Sequence, residues 1–246
     1  MRDVIDLHTH TVVSEHAFST VKEMVQMASQ RGLEVLAFTE HAESCSKLCF
    51  INMRIIPRKQ MGITVLHGAE VNIIDYDGHL DLADSILANL DIVIASMHKR
   101  SISGGTVEEN TRGYLKAMKN PYENIIGHPD DSRFPVDYKE LVKGAKKYGK
   151  LLEVNNSSVS PTGFRDTSCA KENYRRMLEY CKEYETHIII GSDAHIDFEV
   201  GNHECAMELV KEVDFPEHLI VNANPQILKH YLNYYQRGID LEVSTN

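Results

Sequence analysis

Seven of the thirteen histidines in this 246-residue chain stand just after an apolar run or in the loop behind one. The first two are His8 and His10, directly behind Val4-Ile5-Asp6-Leu7. Side chains in a strand alternate faces, so histidines at i and i+2 point the same way. Neutral imidazole is the commonest metal ligand and suits zinc, iron, copper and nickel. Alone, the pair reads equally as half a metal site or as two polar residues past a strand. The other runs decide between these. Residues 35–39 lead into Glu40-His41, residues 63–69 into Glu70, residues 91–97 into His98, residues 124–127 into His128, and residues 187–191 into Ser192-Asp193-Ala194-His195. His16 lies in the loop behind the first run. Polar residues collect at strand ends in any α/β protein, but that explains one or two histidines. It does not explain metal-ligand types at six ends of seven, so these residues predict a metal site.

The elements that must position them follow from the pattern of the chain. Short apolar runs alternate with amphipathic segments, the signature of a mostly parallel α/β domain. Thr20 and Glu23 form a capping box ahead of a helix with Val21, Met24, Val25 and Ala28 on one face, and Gly32 ends it. Residues 42–60 read as one long irregular loop, a length that is often functional. Residues 71–82 read as a hairpin excursion around Asp75-Tyr76-Asp77-Gly78, followed by a short helix over 80–90. Further helices are predicted at 106–118, 137–148, 170–184, 201–213 and 225–235, the last with Asn224 as N-cap and Pro225 in the first helical position. The sum is seven strand-then-helix units over residues 1–246. Its economical closure is a single-domain barrel of seven parallel strands, a short relative of the eight-stranded kind; an open doubly wound sheet is the alternative. No GxGxxG follows an early strand, which lowers the odds of a dinucleotide site. In a parallel barrel the C-terminal strand ends share one mouth, where all these ligand types would meet.

Composition narrows the function further. A formal net charge of −10 repels nucleic-acid backbones, so no stable nucleic-acid partner is expected. It also repels a phosphorylated substrate unless the site itself carries positive charge, which bound divalent metals supply. No long apolar stretch spans a membrane or forms a signal-peptide core, so the chain reads as cytoplasmic. Five cysteines, an odd number without CxxC, read as reduced thiols; Cys45 and Cys49 alone are a weak metal signal. His67 has opposite parity to Glu70 and reads as packing, and His187, His203, His218 and His230 read as structural or surface residues. His79 sits in the hairpin, within possible reach of the mouth.

The motifs Asp6-Leu-His8-Thr-His10, Thr39-Glu-His41, Gly68-Ala-Glu70, Ser96-Met-His98, Gly127-His128-Pro129 and Gly191-Ser-Asp193-Ala-His195 resemble those of the polymerase and histidinol phosphatase (PHP) family. Ser19-Thr20, Phe50-Ile-Asn-Met-Arg54, Glu153-Val-Asn-Asn-Ser157 and Val213-Asp-Phe-Pro216 further resemble its YcdX-type phosphatase branch. The resemblance implies an α/β fold, a distorted (β/α)7 TIM-like barrel, with up to three divalent metals. Zinc is the first guess, with iron or manganese also fitting. Carried over by motif, the first metal takes His8, His10, Glu70 and Asp193; the second takes Glu70, His98 and His128, with Glu70 bridging; the third takes His16, His41 and His195.

Such a cluster lowers the pKa of a bound water, and the expected nucleophile is a metal-bridging hydroxide held by Glu70 and Asp193. The expected reaction is hydrolysis of a small phosphorylated substrate without a covalent enzyme intermediate, since no GxSxG elbow is present. Arg54, Arg58 and Arg165 lie in loops placed at or near the mouth, each able to clamp phosphate, with Arg54 favoured. Asn155, Asn156 and Ser157 read either as substrate contacts or as loop caps. Three alternatives stay open: a phosphodiesterase, an amidohydrolase-like enzyme bridged by a carboxylated lysine, and a non-catalytic metal-stabilised PHP module. Lys99 has the wrong parity for that lysine. The oligomeric state is open.

Overall fold

The computed structural model describes residues 2–163 and 169–233. Seven strands run parallel in chain order: β1 (Ile5–Asp6), β2 (Val35–His41), β4 (Ile63–Asn72), β5 (Ile92–Ser96), β6 (Ile125–Ile126), β7 (Leu151–Asn155) and β8 (Ile188–Gly191). A short β3 (Lys59–Gln60) pairs antiparallel with β4 off this path. The two ends of the sheet meet just past β1 and β8. Thr9 bridges Ala194 in parallel, the His10 amide donates to the Ala194 carbonyl at 2.8 Å, and the Ser192 amide donates to the Asp6 carboxylate at 3.2 Å. These contacts curl the sheet into a nearly closed barrel rather than an open doubly wound sheet.

Strand alternation splits the side chains into two rows. Ile5, Leu7, Val35, Ala37, Leu66, Ile92, Ile94, Ile125, Leu151 and Ile189 pack together inside the barrel. Val221, Leu228 and Leu232 from the C-terminal segment join that cluster and close the base. The alternate row faces the helices. Leu36, Phe38 and Val65 pack under Met24, Val25 and Ala28 of α1 (Val21–Gln30). Val93, Ile126, Leu152 and Ile190 pack under the helices α4 (Val107–Ala117), α5 (Tyr138–Tyr148) and α7 (Ala170–Tyr184), through Tyr114, Leu141 and Tyr174. Local signals set the helix ends. Thr20 with Glu23 and Thr106 with Glu109 form capping boxes, and Gly149 closes α5 in the left-handed region at φ 64°. No helix among the described residues is long and apolar enough to cross a membrane.

Some expected elements differ. Residues 42–60 are not one irregular loop. They hold α2 (Lys47–Asn52), with Ser46 as its N-cap, a tight turn over Met53–Ile55, and β3. The helix expected over 80–90 shrinks to α3 (Asp84–Leu87), whose preceding Ala83 offers no side-chain cap. Behind β7 the chain forms α6 (Asn156–Val159), capped by Asn155, instead of a loop. Helix α8 (Glu204–Glu212) lies where one was expected. The last predicted helix is only α9 (Pro225–Leu228) followed by a single tight turn, because Leu228 and Leu232 both turn into the barrel base. Its expected end at Tyr235 lies outside the described residues.

Candidate metal centre

The inward rows that are apolar at the base become polar toward the mouth. On β2 the row of Val35 and Ala37 continues to Thr39 and His41; on β4 that of Leu66 continues to Gly68 and Glu70; on β5 that of Ile92 and Ile94 continues to Ser96 and then His98. Strand parity therefore delivers His41, Glu70 and His98 to one place. Gly191 makes room for that layer. A Cβ there would sit 2.3 Å from a Glu153 carboxylate oxygen and 3.0 Å from the His8 Cβ. Two site residues hold backbone conformations that non-glycine residues seldom adopt: His128 at φ 26° and Asp193 at φ 56°. Strained backbone of this sort persists only where surrounding contacts enforce it.

Glu70 is the hub. Its Oε1 lies 2.8 Å from His128 Nε2 and 3.4 Å from His98 Nε2. Its Oε2 lies 2.9 Å from His41 Nδ1, 3.4 Å from His8 Nε2 and 3.7 Å from His10 Nε2. Asp193 Oδ1 lies 3.3 Å from His10 Nε2 and 3.5 Å from His8 Nε2. Three groups of ligand atoms fall within coordination reach of one another: His8 with His10 and Asp193, Glu70 with His98 and His128, and His10 with His41 and His195. His16 is the exposed member, its ring 4.5 Å from that of His195 and 5.0 Å from that of His41. Cys45 and Cys49 join no such group among the described residues.

A second layer fixes these rings. Glu153 is buried on the inward row of β7; its Oε1 accepts from His8 Nδ1 at 2.6 Å, and its Oε2 accepts from the His128 amide at 2.7 Å. Asn72 Oδ1 accepts from His98 Nδ1 at 2.7 Å, and the Asp193 carbonyl accepts from His195 Nδ1 at 2.9 Å. An acceptor at Nδ1 puts the proton there and leaves Nε2 with a lone pair, which is the state a metal needs. Asn155 donates to Asp193 Oδ2 at 3.1 Å and so holds that carboxylate. Asp6 accepts from Ser192 Oγ at 2.5 Å and from the Gly201 amide at 2.8 Å, bracing the turn that carries Asp193. Glu40 accepts from Thr11 Oγ1 and Ser14 Oγ, both at 2.6 Å, and anchors the first loop over the second strand. Sequence reasoning missed Glu153 as a site residue. Its signal was an acidic residue on the inward parity of a strand whose Leu152 and Val154 face out.

Electrostatics suit a bound cation. The Nε2 atoms of His8 and His10 and Oε2 of Glu70 are buried without a hydrogen-bond partner, whereas most buried polar atoms in folded proteins have one. Burial disfavours charge on His8, yet Glu153, Asp193 and Glu70 overcome it and raise its pKa well above the usual value. Burial pushes the Glu70 carboxyl up, but His98, His8 and His41 hold it well below the carboxylate range. Burial and then His41 push His10 well down. Imidazole nitrogens and carboxylate oxygens crowded this closely fit divalent zinc, iron or manganese.

The predicted substrate residues fare less well. Arg58 is far from the mouth: its guanidinium pairs with the buried Asp91, which precedes β5 at the barrel base. Arg54 is exposed on the outer flank, lining a groove with Phe50, His67, Asn89 and Leu90. Both were expected near the mouth, but the segment after β2 must return to the base to enter β4, and it carries them along. Asn156 is buried and turned to α8, its Oδ1 accepting from the Ala206 amide at 3.0 Å, so it is a cap rather than a substrate contact. Ser157 lies beside it in α6, also buried. Arg165 lies outside the described residues. His67 is buried on the outward row, as its parity predicted, and His79 stays in its hairpin, paired with Asp75 at 2.7 Å.

Known proteins resemble this chain. A probable phosphatase of Clostridium novyi (strain NT) is 42% identical over 247 residues, covering 99% of this chain and 100% of the relative. A probable phosphatase of Caldicellulosiruptor bescii is 40% identical, covering 96% and 98%. Histidinol phosphate phosphatase from Lactococcus lactis subsp. lactis, solved with zinc, L-histidinol and phosphate, superposes with a TM-score of 0.57. It is 21% identical and the match covers 87% of this chain and 95% of that one, a likeness of fold. The sequence profile of the PHP domain matches residues 6–159, and the chain belongs to the PHP domain family.

Proposed function

We propose that this PHP-family phosphatase hydrolyses the phosphate ester of a small metabolite at a centre of three divalent metals. One observation carries the reading: the two oxygens of Glu70 face two separate sets of histidines, which suits a carboxylate bridging neighbouring ions. His8, His10 and Asp193 would complete the first ion's ligands, and His98 and His128 the second's. His41 and His195 would hold the third, with His16 above them and His10 beside. Zinc is the favoured ion. Bound divalent ions supply an activated water and neutralise charge that develops on phosphate oxygens.

The chain's own residues do the rest. Glu153 and Asn72 keep protons on the Nδ1 atoms of His8 and His98, so that Nε2 stays free to ligate. Asn155 and the Asp6–Ser192 brace fix Asp193 in its strained conformation. The apolar barrel below the centre excludes water from beneath, leaving the mouth as the entrance. Lys99 is exposed and Glu70 already occupies the bridging position, so no observation favours the carboxylated-lysine reading.

The test is elemental analysis of the purified protein together with assays on p-nitrophenyl phosphate, a bis-ester and a panel of metabolite phosphates, with and without chelator. Bound metal and chelator-sensitive release from monoesters are expected. Fewer than two metals per chain, or release that chelator leaves untouched, refutes the reading.

A further inference from the structure

We propose that Arg100 is the side chain that grips the phosphate at the mouth of the barrel, in the role that the sequence assigned to Arg54 and Arg58. The inference rests on the phosphatase reading of the metal centre.

The loop behind β5 is built to present this residue. Met97 is fully buried and Ile102 is 9% exposed, so both ends of the segment are pinned. The amides of Ser101 and Ile102 both donate to the His98 carbonyl at 3.0 Å. That tight turn leaves Lys99 and Arg100 exposed directly behind a histidine whose Nε2 is 3.4 Å from Glu70. His98 also stands edge-on to His41, with ring centroids 5.9 Å apart. His41 also neighbours His16, in the loop of β1. His16 in turn stacks on His41 and His195. Arg100 therefore lies on the rim of the centre, in the exposed turn directly behind His98.

Its freedom and its place together distinguish it, since Arg54 makes no ion pair or hydrogen bond among the described residues either but lies on the outer flank. Arg133 is held by Asp131 at 2.8 and 3.0 Å, and Arg58 by Asp91. Arg100 makes no ion pair or hydrogen bond among the described residues. In a chain of net charge −10, an unpaired arginine beside a metal centre is placed for an anion. A guanidinium fork matches two phosphate oxygens. A phosphate bound by the centre would leave oxygens facing the mouth, where Arg100 can take them.

Inorganic phosphate is the probe, titrated by calorimetry into metal-loaded protein. Arg100→Ala should weaken phosphate binding about 10- to 100-fold, as expected for a charge-assisted contact, with metal content unchanged. Arg100→Lys should recover part of the loss, since it keeps the charge without the fork. Lys116→Ala, on α4 outside the barrel, should bind phosphate as the wild type does, which separates a contact from a general charge effect. On an ester substrate, Arg100→Ala should raise KM and the Ki for phosphate together. Phosphate affinity within about two-fold of wild type in Arg100→Ala overturns the proposal, and so does loss of metal in that variant, because Arg100 would then be shaping the centre. If wild type binds phosphate through Arg100 but cleaves no ester, the phosphatase reading falls and this contact stands.

Discussion

Replacing Glu153 with glutamine should loosen the metal centre without touching any proposed ligand. The carboxylate is 1% exposed and serves three donors: His8 Nδ1 at 2.6 Å, the His128 amide at 2.7 Å and Asn155 Nδ2 at 3.3 Å. Glutamine has the same shape but only one acceptor oxygen. Its NH2 must face either the His8 ring or the His128 amide, so one donor meets a donor. A buried hydrogen bond to a charged acceptor contributes about 1.5–3 kcal/mol, which is roughly 10- to 150-fold in an equilibrium constant. Partners of ligating histidines typically change metal affinity by about 10- to 100-fold, in the same range. Glu153→Gln is therefore expected to bind metal about 10- to 100-fold more weakly, read by competition against a chelator of known affinity, while its circular dichroism stays that of wild type. Activity should return when metal is added in excess. A variant whose affinity stays within about two-fold of wild type refutes the idea that Glu153 sets the His8 tautomer.

Other changes test different parts of the structure. Glu70→Ala should lose at least two metals per chain and essentially all chelator-sensitive activity, measured by elemental analysis and phosphate release; retention of both metals counts against a bridging role. Arg58→Ala removes the charged partner of the buried Asp91, which keeps its bond from the His67 amide, so it should destabilise the fold by about 1.5–3 kcal/mol in denaturant melts while KM stays unchanged. His203 is buried; burial opposes its charge, but a hydrogen bond to Asp3 at 2.8 Å and the nearby negative charge of Asp6 raise its pKa to about 10. A folded pKa above the unfolded value of 6.5 gives stability that is full below pH 6.5 and lost as pH rises through 10. The stability gap between wild type and His203→Gln should accordingly shrink by a few kcal/mol from about pH 6 to pH 10, and a gap flat across that window contradicts the charged pair.

The candidate metal site was legible because the residues proposed as its ligands obey two simple periodicities. Histidine and carboxylate at the ends of apolar runs meet wherever parallel strands share a mouth, so His8, His41, Glu70, His98 and Asp193 could be read from position alone. Parity also disposed of His67 correctly. What parity cannot give is where a long connection goes. Residues 47–60 fold into α2, a turn and β3 and descend to the base, because β4 must start there. Nothing in the spacing of Arg54 and Arg58 distinguishes that descent from a loop arching over the mouth, so both were placed at the wrong end. Arg100 was not singled out, although it stands two residues past His98 in the tight turn behind β5.

The supporting layer shows a further physical limit. Glu153, Asn72 and Asn155 hold Nδ1 of His8, Nδ1 of His98 and Oδ2 of Asp193, respectively. Each lies on a strand neighbouring or facing its partner's, and which partner it meets depends on register and barrel closure. Those are collective properties of all seven strands, set by the Thr9–Ala194 bridge as much as by any local motif. A lone acidic residue on the inward parity of β7 was nonetheless a usable sign. Burying a carboxylate costs several kcal/mol unless something pairs with it, so an inward Glu153 implies a donor or cation above it. The same reasoning applied strand by strand recovers the support of the proposed centre: inward polar residues such as Glu153 stand beside the proposed ligands, while the inward row toward the base is filled with Ile92, Leu151 and Ile189.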